Sequence, residues 1–519
     1  MMNHKNIPNI PADKFRFVAD EDRLHDQKFE TKKIGYWRDA FGRFCKNRSS
    51  VVAAIIIIFL VLYGIFVPMF CETTYSLSEG DNMYLYYDRF YPKVDKFKEW
   101  GLNFWDGAKN ITLDEKNYNY FYAIGLETGY DVITQIKETN YSADGKVTYE
   151  ARIDSYISKG FQLRTFTEEE YQAIQEWQNE TGVQVIYPAV NKNEKTNKLP
   201  TSADIWYVSN AKGVAELDEN GNFVANYRTS GKDGDYNSLR IPGDPGLEDP
   251  EAKDRYRYAY ISGTEEAKSY NCRVFMYAYF EYLYGFEPSF LFGTDAKGYD
   301  LLTRLAHGAR FSLIFAVCIS AINLVIGAVY GAIEGYYGGT ADMLMERFSD
   351  ILSRVPFMVV TALFQLHLSQ KVGVIPSLLF AFVLTGWIGM AGTVRMQFYR
   401  FKGQEYVLAS RVLGASDWRV MFRHIFPNSL GTIITRSVLV IPGVIFSESS
   451  LTYLGIVNLD SSTTTSVGTL LANARNSLES DPYIILFPCI FIALLMICFN
   501  LFGNGLRDAF NPALRGVED

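Results

Sequence analysis

Glu334, Asp350, Arg354, Arg436 and Glu448 lie in or beside long apolar stretches of this 519-residue chain. Burying a charge in hydrocarbon is costly, so such side chains face a partner or a water-filled path, or snorkel to an interface. Asp350, Arg354, Arg436 and Glu448 are the candidates for a polar transport path, with Arg436, well inside its apolar run, the foremost.

Other reactive chemistry is sparse. The histidines stand at 4, 25, 307, 367 and 424, so the polar middle of the chain has none. That removes Ser-His-Asp and Cys-His hydrolases and histidine-ligated zinc from the middle region. Acids are abundant there, but nothing singles out a glycosidase pair. Asp218, Asn220 and Asn222 are spaced like the start of a calcium loop, yet Phe223 replaces the required glycine, and a tight turn is expected. No GxxxxGK[ST] occurs, so this chain lacks the phosphate cradle of a P-loop ATPase. Cysteines at 45, 71, 272, 318, 489 and 498 form no CxxC pair, which argues against a zinc ribbon or a disulfide-dense scaffold. Cys71 and Cys272 bracket the acidic middle and are either a closing disulfide or two buried thiols.

Six apolar stretches could hold these residues in a membrane, since a bilayer core needs roughly 20 apolar residues in a helix. They run from Val51 to Phe70 and from about Phe311 to Ile333, Ile351 to Leu368, Val374 to Val394, Leu430 to Phe446 and Tyr483 to Phe502. Some 50 mostly polar residues precede the first, which is expected to stay as an anchor rather than be cleaved. Arg38, Arg43, Lys46 and Arg48 precede the first stretch, and Arg395, Arg400, Lys402, Arg411, Arg419 and Arg423 crowd the connection after the fourth. The bias predicts both termini inside and residues 71 to about 295 outside. Between Cys71 and Asp295 there are 37 acidic against 23 basic residues, which suits an outward-facing domain and gives no support to nucleic-acid binding. Trp37, Phe41 and Phe44 recur at helical spacing among basic residues, predicting an amphipathic helix on membrane lipid.

The middle region is long enough for one folded domain. Gly182–Tyr187 and Asn222–Tyr227 alternate like strands, Asn220-Gly221 signals a hairpin turn, and Thr167 with Glu170 reads as a capping box. An α+β domain is expected. The aromatic run Phe275 to Phe290 is too short and charged to span; it is either an interfacial helix or part of the domain core.

The connection between the fourth and fifth stretches carries the mechanism. Glu405-Tyr-Val-Leu-Ala409-Ser410-Arg411-Val-Leu-Gly414-Ala415-Ser416-Asp417-Trp418 is followed by Arg423-His-Ile-Phe-Pro427-Asn428. Polar and apolar residues alternate at helical spacing up to Gly414, Ser416 or Asp417 can cap a second helix, and Pro427 interrupts the chain before the next span.

This loop resembles the EAA loop of ABC importer permeases, with Leu408 in place of the motif's glutamate and Ser410 in place of its second alanine. Three further stretches resemble the C-type subunit of oligopeptide and dipeptide permeases: Gly293-Thr294-Asp295-Ala-Lys-Gly298-Tyr299-Asp300 with Arg304, Glu448 to Gly455, and Gly503-Asn-Gly-Leu-Arg507-Asp508 with Asn511-Pro512. Tyr299 stands where that family has arginine, and Val467 where tryptophan is common.

The resemblance implies an all-α membrane domain of six transmembrane helices in the type I ABC importer permease fold; it says nothing of the α+β extracellular domain, which the residues place as an insertion between helices 1 and 2. Its divisions are 1–48 inside with the amphipathic helix, 49–70 as the first span, 71–292 outside, and 293–516 as the permease core with the EAA loop at 399–428. It further implies that Glu405, Ala409, Ser410, Gly414, Ala415, Arg423 and Pro427 form an ATPase-coupling loop, with Gly414 the pivot. Gly293, Thr294, Asp295, Gly298 and Asp300 form an outer-face motif. The implied partners are a B-type permease, two P-loop ATPases carrying ATP and Mg, and an extracytoplasmic peptide-binding lipoprotein; no cofactor is expected on this chain. Nickel chelates or glycosides remain alternative substrates, and a membrane-tethered sensor or enzyme is an alternative of another class.

Overall fold

The computed structural model describes residues 36–70, 88–94, 96–97, 100, 104–142, 146–190, 203, 205–210, 213–227, 258–264, 267–460 and 464–510. The expected amphipathic helix forms as α1 (Tyr36–Lys46). Asn47 separates it from α2 (Arg48–Phe70), its carboxamide oxygen accepting from the Ser50 amide at 3.3 Å. Phe44 is buried edge-on against Phe502, 5.4 Å between centroids, and Ser50 Oγ donates to the Leu501 carbonyl at 3.0 Å. These contacts tie both helices to the last helix of the chain.

The inserted α+β region has two halves, each opening with a strand that runs straight into a helix and followed by two further strands in the first half and three in the second. Strand β1 (Ala108–Asp114) runs into α3 (Glu115–Thr128), followed by β2 (Ile133–Tyr141) and β3 (Val147–Asp154), paired in the order β1-β3-β2. Strand β4 (Phe161–Thr167) runs into α4 (Glu168–Thr181), followed by β5 (Ile186–Tyr187), β6 (Ala259–Thr264) and β7 (Ala267–Phe275), with β7 central. Each helix is capped by the last residue of its strand: Asp114 accepts from the Asn117 amide, and Thr167 forms the expected capping box with Glu170. Each ends at a glycine in the left-handed conformation, Gly129 at φ 75° and Gly182 at φ 74°, after the same Glu-Thr pair.

The aromatic run falls in the core: α5 (Met276–Tyr284) buries Met276, Tyr277, Ala278, Tyr279 and Phe280 among residues of both sheets. The expected strand at Gly182–Tyr187 shrinks to Ile186–Tyr187, because Gln178 reaches across to accept from the Val185 and Ile186 amides at 2.7 Å each. Asn222–Tyr227 forms isolated bridges rather than a named strand, after a tight turn in which Asp218 Oδ1 accepts from the Asn220 and Asn222 amides. Cys272 is a buried free thiol; Cys71 lies outside the described residues.

After the α+β region the long apolar helices resume with α6 (Leu301–Tyr337). Its glycines Gly327, Gly331 and Gly335 face Trp387, Ala391 and Arg395, one turn apart at the N-cap and along the first turns of α11 (Ile388–Phe401). A Cβ on Gly327 or Gly335 would meet the Trp387 or Arg395 carbonyl oxygen at 2.7 Å, so the two backbones touch only because these residues are small. Trp387 joins α11 to α10 (Val374–Gly386) with near-helical dihedrals, so the fourth stretch reaches Phe401 rather than Val394.

The third expected span is not one straight helix. It divides into α7 (Gly339–Ser353) and α8 (Phe357–His367), bent by 71°. Pro356 between them lacks an amide donor and disfavours helical geometry at Val355. A short α9 (Ser369–Val372) turns the chain into α10. After α11 come α12 (Glu405–Val412), α13 (Asp417–Arg419), a π-helical turn over Val420–Ile425, α14 (Phe426–Tyr453), α15 (Val467–Ala474) and α16 (Tyr483–Phe510). Among the described residues five helices are long and apolar enough to cross a membrane, or six if the bent pair is one span. The α+β region lies in the chain between the first of these and the second.

Candidate functional site

The loop between α11 and α14 is two short helices meeting at Gly414. Helix α12 ends in a Schellman turn: the Gly414 amide donates to the Arg411 carbonyl at 2.9 Å and the Ala415 amide to Ser410 at 3.1 Å. Gly414 has φ 81°, which a residue with a Cβ adopts at a cost, and nothing lies within 4 Å of the place where a Cβ would stand. The glycine is therefore demanded by the backbone and not by crowding within this chain. The tip presents apolar side chains to the outside, Val412 being 88% and Leu413 86% exposed.

One face of the loop is anchored. Val407, Val420, Met421 and Ile425 are buried against Ala332, Tyr336, Val394 and Phe398. The Tyr336 hydroxyl donates to Asp417 Oδ1 at 2.6 Å, and the Arg411 guanidinium lies 4.8 Å from the Tyr336 ring. Of the loop residues expected to act, Ser410 is buried, with its hydroxyl donating to the Val407 carbonyl at 2.9 Å. Glu405, Ala409, Arg423 and Pro427 are exposed and Ala415 is half-buried. Two local expectations change. Ser416 stands at the N-cap without a side-chain hydrogen bond, and Asp417 turns to Tyr336 instead. Pro427 sits in the first turn of α14, directly after the π-helical turn Val420–Ile425, and the helical path from Asp417 to Tyr453 continues through it instead of being interrupted.

Beside the loop, Arg395 of α11 gathers acids from two helices. It bonds Asp342 at 2.6 and 2.9 Å and Glu346 at 2.9 and 3.0 Å, with Glu334 at 3.7 Å. Tyr399 also donates to Asp342, and Lys402 Nζ donates to the Gly335 carbonyl at 3.0 Å. The cluster fixes α7 on the α6–α11 pair at the end that carries the loop. Sequence reasoning weighed Glu334 singly and missed the cluster, because its members lie some 50 residues apart with no periodic signal.

A polar furrow follows α14. One cavity of about 400 Å³ is lined by Thr393, Arg400, Thr432, Thr435, Arg436 and Arg507, among others. A second of about 360 Å³ continues along Arg436, Leu439, Val440, Gly443 and Ser447, facing Asn323 and Thr385. Arg436 lines both. Glu448 points elsewhere: it is fully buried, accepting from Ser312 Oγ at 3.1 Å and Thr452 Oγ1 at 3.2 Å. Asp350 meets Arg347 at 3.5 Å on an exposed face, and Arg354 is exposed at the α7–α8 bend; neither lines these cavities.

The outer-face motif is a tight turn that starts α6. Thr294 pairs with Asp300, and the Asp295 carboxylate accepts from the Lys297 and Tyr299 amides at 2.8 and 3.0 Å. Gly298 closes the turn at φ 89°. Gly293, at φ 72°, leaves no room for a Cβ beside the Phe90 carbonyl. Asp300 caps α6 through the Leu302 and Thr303 amides at 3.2 Å each.

Arg304, 1% exposed, is held between Asp295 at 3.2 Å and Asp460 at 3.0 Å, with the Tyr299 ring 4.2 Å away. Tyr299 thus stacks on an arginine. Burial pushes the Asp295 carboxyl above its ordinary value despite Arg304. At Asp460 burial acts the same way, but the Lys297 hydrogen bond and the Arg304 and Lys297 charges outweigh it, holding that carboxyl below the usual range. The inserted region is fastened here: Arg89 meets Asp481 at 2.6 Å, and Tyr483 donates to the Phe90 and Thr294 carbonyls at 3.0 Å each.

A bundle of long apolar helices with a polar furrow along one of them and an apolar-tipped loop at one end is the membrane component of a transporter. Residues 323–516 match the family described as binding-protein-dependent transport system inner membrane component, and residues 35–92 match the N-terminal transmembrane domain of oligopeptide transport permease C. The oligopeptide transport system permease protein OppC of Haemophilus influenzae is 40% identical over 221 residues, covering 43% of this chain and 70% of that protein. OppC of Bacillus subtilis is 40% identical over 224 residues, covering 43% and 72%. A solved inward-facing MetNI methionine ABC transporter overlaps at a TM-score of 0.34 and 12% identity, covering 40% of this chain and 96% of that one. The chain belongs to the OppC/DppC-like family of binding-protein-dependent transport permeases. It is a multi-pass membrane permease subunit and not an enzyme; in this family the ATPase is a separate subunit.

Proposed function

We propose that this chain is the C-type permease subunit of an ATP-driven importer of oligopeptides or dipeptides, with six spans, both termini inside and the α+β region outside. It works with a B-type permease, two P-loop ATPases and an extracytoplasmic peptide-binding lipoprotein. ATP and Mg are held by the ATPases. The names of its relatives support the substrate class, and the arginine-rich connections support the orientation.

The single observation that carries the reading is the elbow at Gly414. Its Val412-Leu413 tip is exposed while its other face is buried on α6 and α11. Exposed apolar side chains on an anchored loop suit a protein partner. A push on the tip would pass through Asp417–Tyr336 into α6, whose glycines seat it on α11, so docking and span movement share one rigid path. The cavity along Arg436, Leu439, Val440, Gly443 and Ser447 of α14 then lines half of a pathway that the second permease completes.

Cross-linking tests this. With native cysteines replaced and Val412→Cys introduced, the assembled transporter should form a cross-link from position 412 to an ATPase subunit. Co-purification of the ATPase with no cross-link from that position would reject the loop as the coupling element.

A further inference from the structure

We propose that the cavity among Arg400, Arg436 and Arg507 is a binding site for a phosphate group, supplied by an anionic phospholipid headgroup at the membrane face. The three guanidiniums come from α11, α14 and α16 and line one cavity of about 400 Å³, inside the roughly 300–1,000 Å³ range of small-molecule sites. Among the described residues no acidic side chain lines it. Among the described residues none of the three arginines takes part in an ion pair, and Asp508, next to Arg507 in sequence, is not in the lining. Three like charges around one hollow repel unless an anion shares them.

Donor chemistry selects phosphate. Thr393 and Thr435 spend their hydroxyl hydrogens on the Gly389 and Gly431 carbonyls, so the available donors are the planar guanidinium forks and Thr432. Forks from three sides match an anion with oxygens on several faces better than a carboxylate, which one arginine satisfies.

Position selects the source. Arg400 is next to the last residue of α11 and Arg507 is in the last turn of α16, so the cavity mouth lies where spans leave the hydrocarbon and headgroups begin. Leu439 and Phe510 give it apolar wall for the glycerol and upper acyl chain. Basic pockets between spans at such a level hold anionic headgroups.

The assembled transporter, purified with its partner subunits, is placed in nanodiscs of phosphatidylcholine with and without phosphatidylglycerol, and retained lipids are counted by native mass spectrometry. Phosphatidylglycerol should be kept in preference, and Arg400→Gln with Arg507→Gln should reduce that preference about tenfold or more. Arg400→Lys with Arg507→Lys, which keeps the charge, should hold an intermediate preference and guards against a folding artefact. Inorganic phosphate forms the second arm: raised thermal stability in pure phosphatidylcholine, with no preference among lipids, would assign the same site to free phosphate. Equal retention of both lipids together with no response to phosphate overturns the proposal, and is the result expected if a partner subunit's carboxylate fills the cavity. An undiminished preference in a folded glutamine variant overturns it as well.

Discussion

The Tyr336 hydroxyl, at the end of a long membrane helix, donates to the Asp417 carboxylate of the loop helix at 2.6 Å. Arg411 over the same ring and the buried Val407, Val420 and Met421 also hold the elbow on α6, and the pair adds a polar link to that packing. Tyr336→Phe removes the donor and keeps the ring that Arg411 covers. It should weaken docking of α13 on α6 by about 1 kcal/mol and reduce substrate-stimulated ATP turnover without lowering the amount of inserted protein. Turnover measured in reconstituted vesicles checks this, and wild-type stimulation in the variant would count against load transfer through the pair.

Two glycine substitutions should separate function from folding. Gly414→Val forces a β-branched residue to φ 81° with open space around it, at a local cost of roughly 1–2 kcal/mol. It should spare membrane insertion and abolish uptake. Gly331→Val drives a side chain into the Ala391 backbone and should deplete the folded protein itself. Normal ATP stimulation with Gly414→Val would defeat the coupling assignment.

The Arg304 clamp should respond to acid through Asp460. Its folded-state carboxyl lies below the ordinary value, so its contribution is complete above the ordinary carboxylate range and is lost as pH falls through the lower, folded value. The gap in melting temperature between the wild type and Asp460→Asn should therefore narrow on acidification. A gap that widened would contradict the sign. Arg304→Met should cost more, about 3–5 kcal/mol, because it leaves buried Asp295 without its cation.

Cys272 should resist alkylation in the folded protein, since burial pushes its thiol up to about 12. Maleimide labelling followed by mass spectrometry of the inserted region should find it modified only after denaturation. Rapid labelling under native conditions would show that the core around β7 opens.

The α+β region could be read from sequence at its local signals and not in its plan. The Thr167 and Glu170 pair announced its capped helix because capping depends on residues three apart. The recurrence of a strand running into a capped helix was not legible, since the two halves share a short Glu-Thr-Gly helix ending and little else, and β5 is separated from β6 by a long stretch. The bend between α7 and α8 was likewise hidden, because the apolar run Ile351 to Leu368 crosses it and passes for one span, with Pro356 as a local sign.

Sequence alone located the long apolar stretches, the ends that carry the basic residues, and the glycine of the elbow, because hydropathy, charge bias and a glycine-punctuated helical period all act over a few residues to a few turns. Tertiary structure decided what each ionisable group does. Glu448 proved to be enclosed by hydroxyls, while Arg436 opens into a furrow and Arg304 and Arg395 bind acids far away along the chain. The reason is physical: the energy of a charge depends on burial and on partners brought near by folding, neither of which is encoded in neighbouring residues.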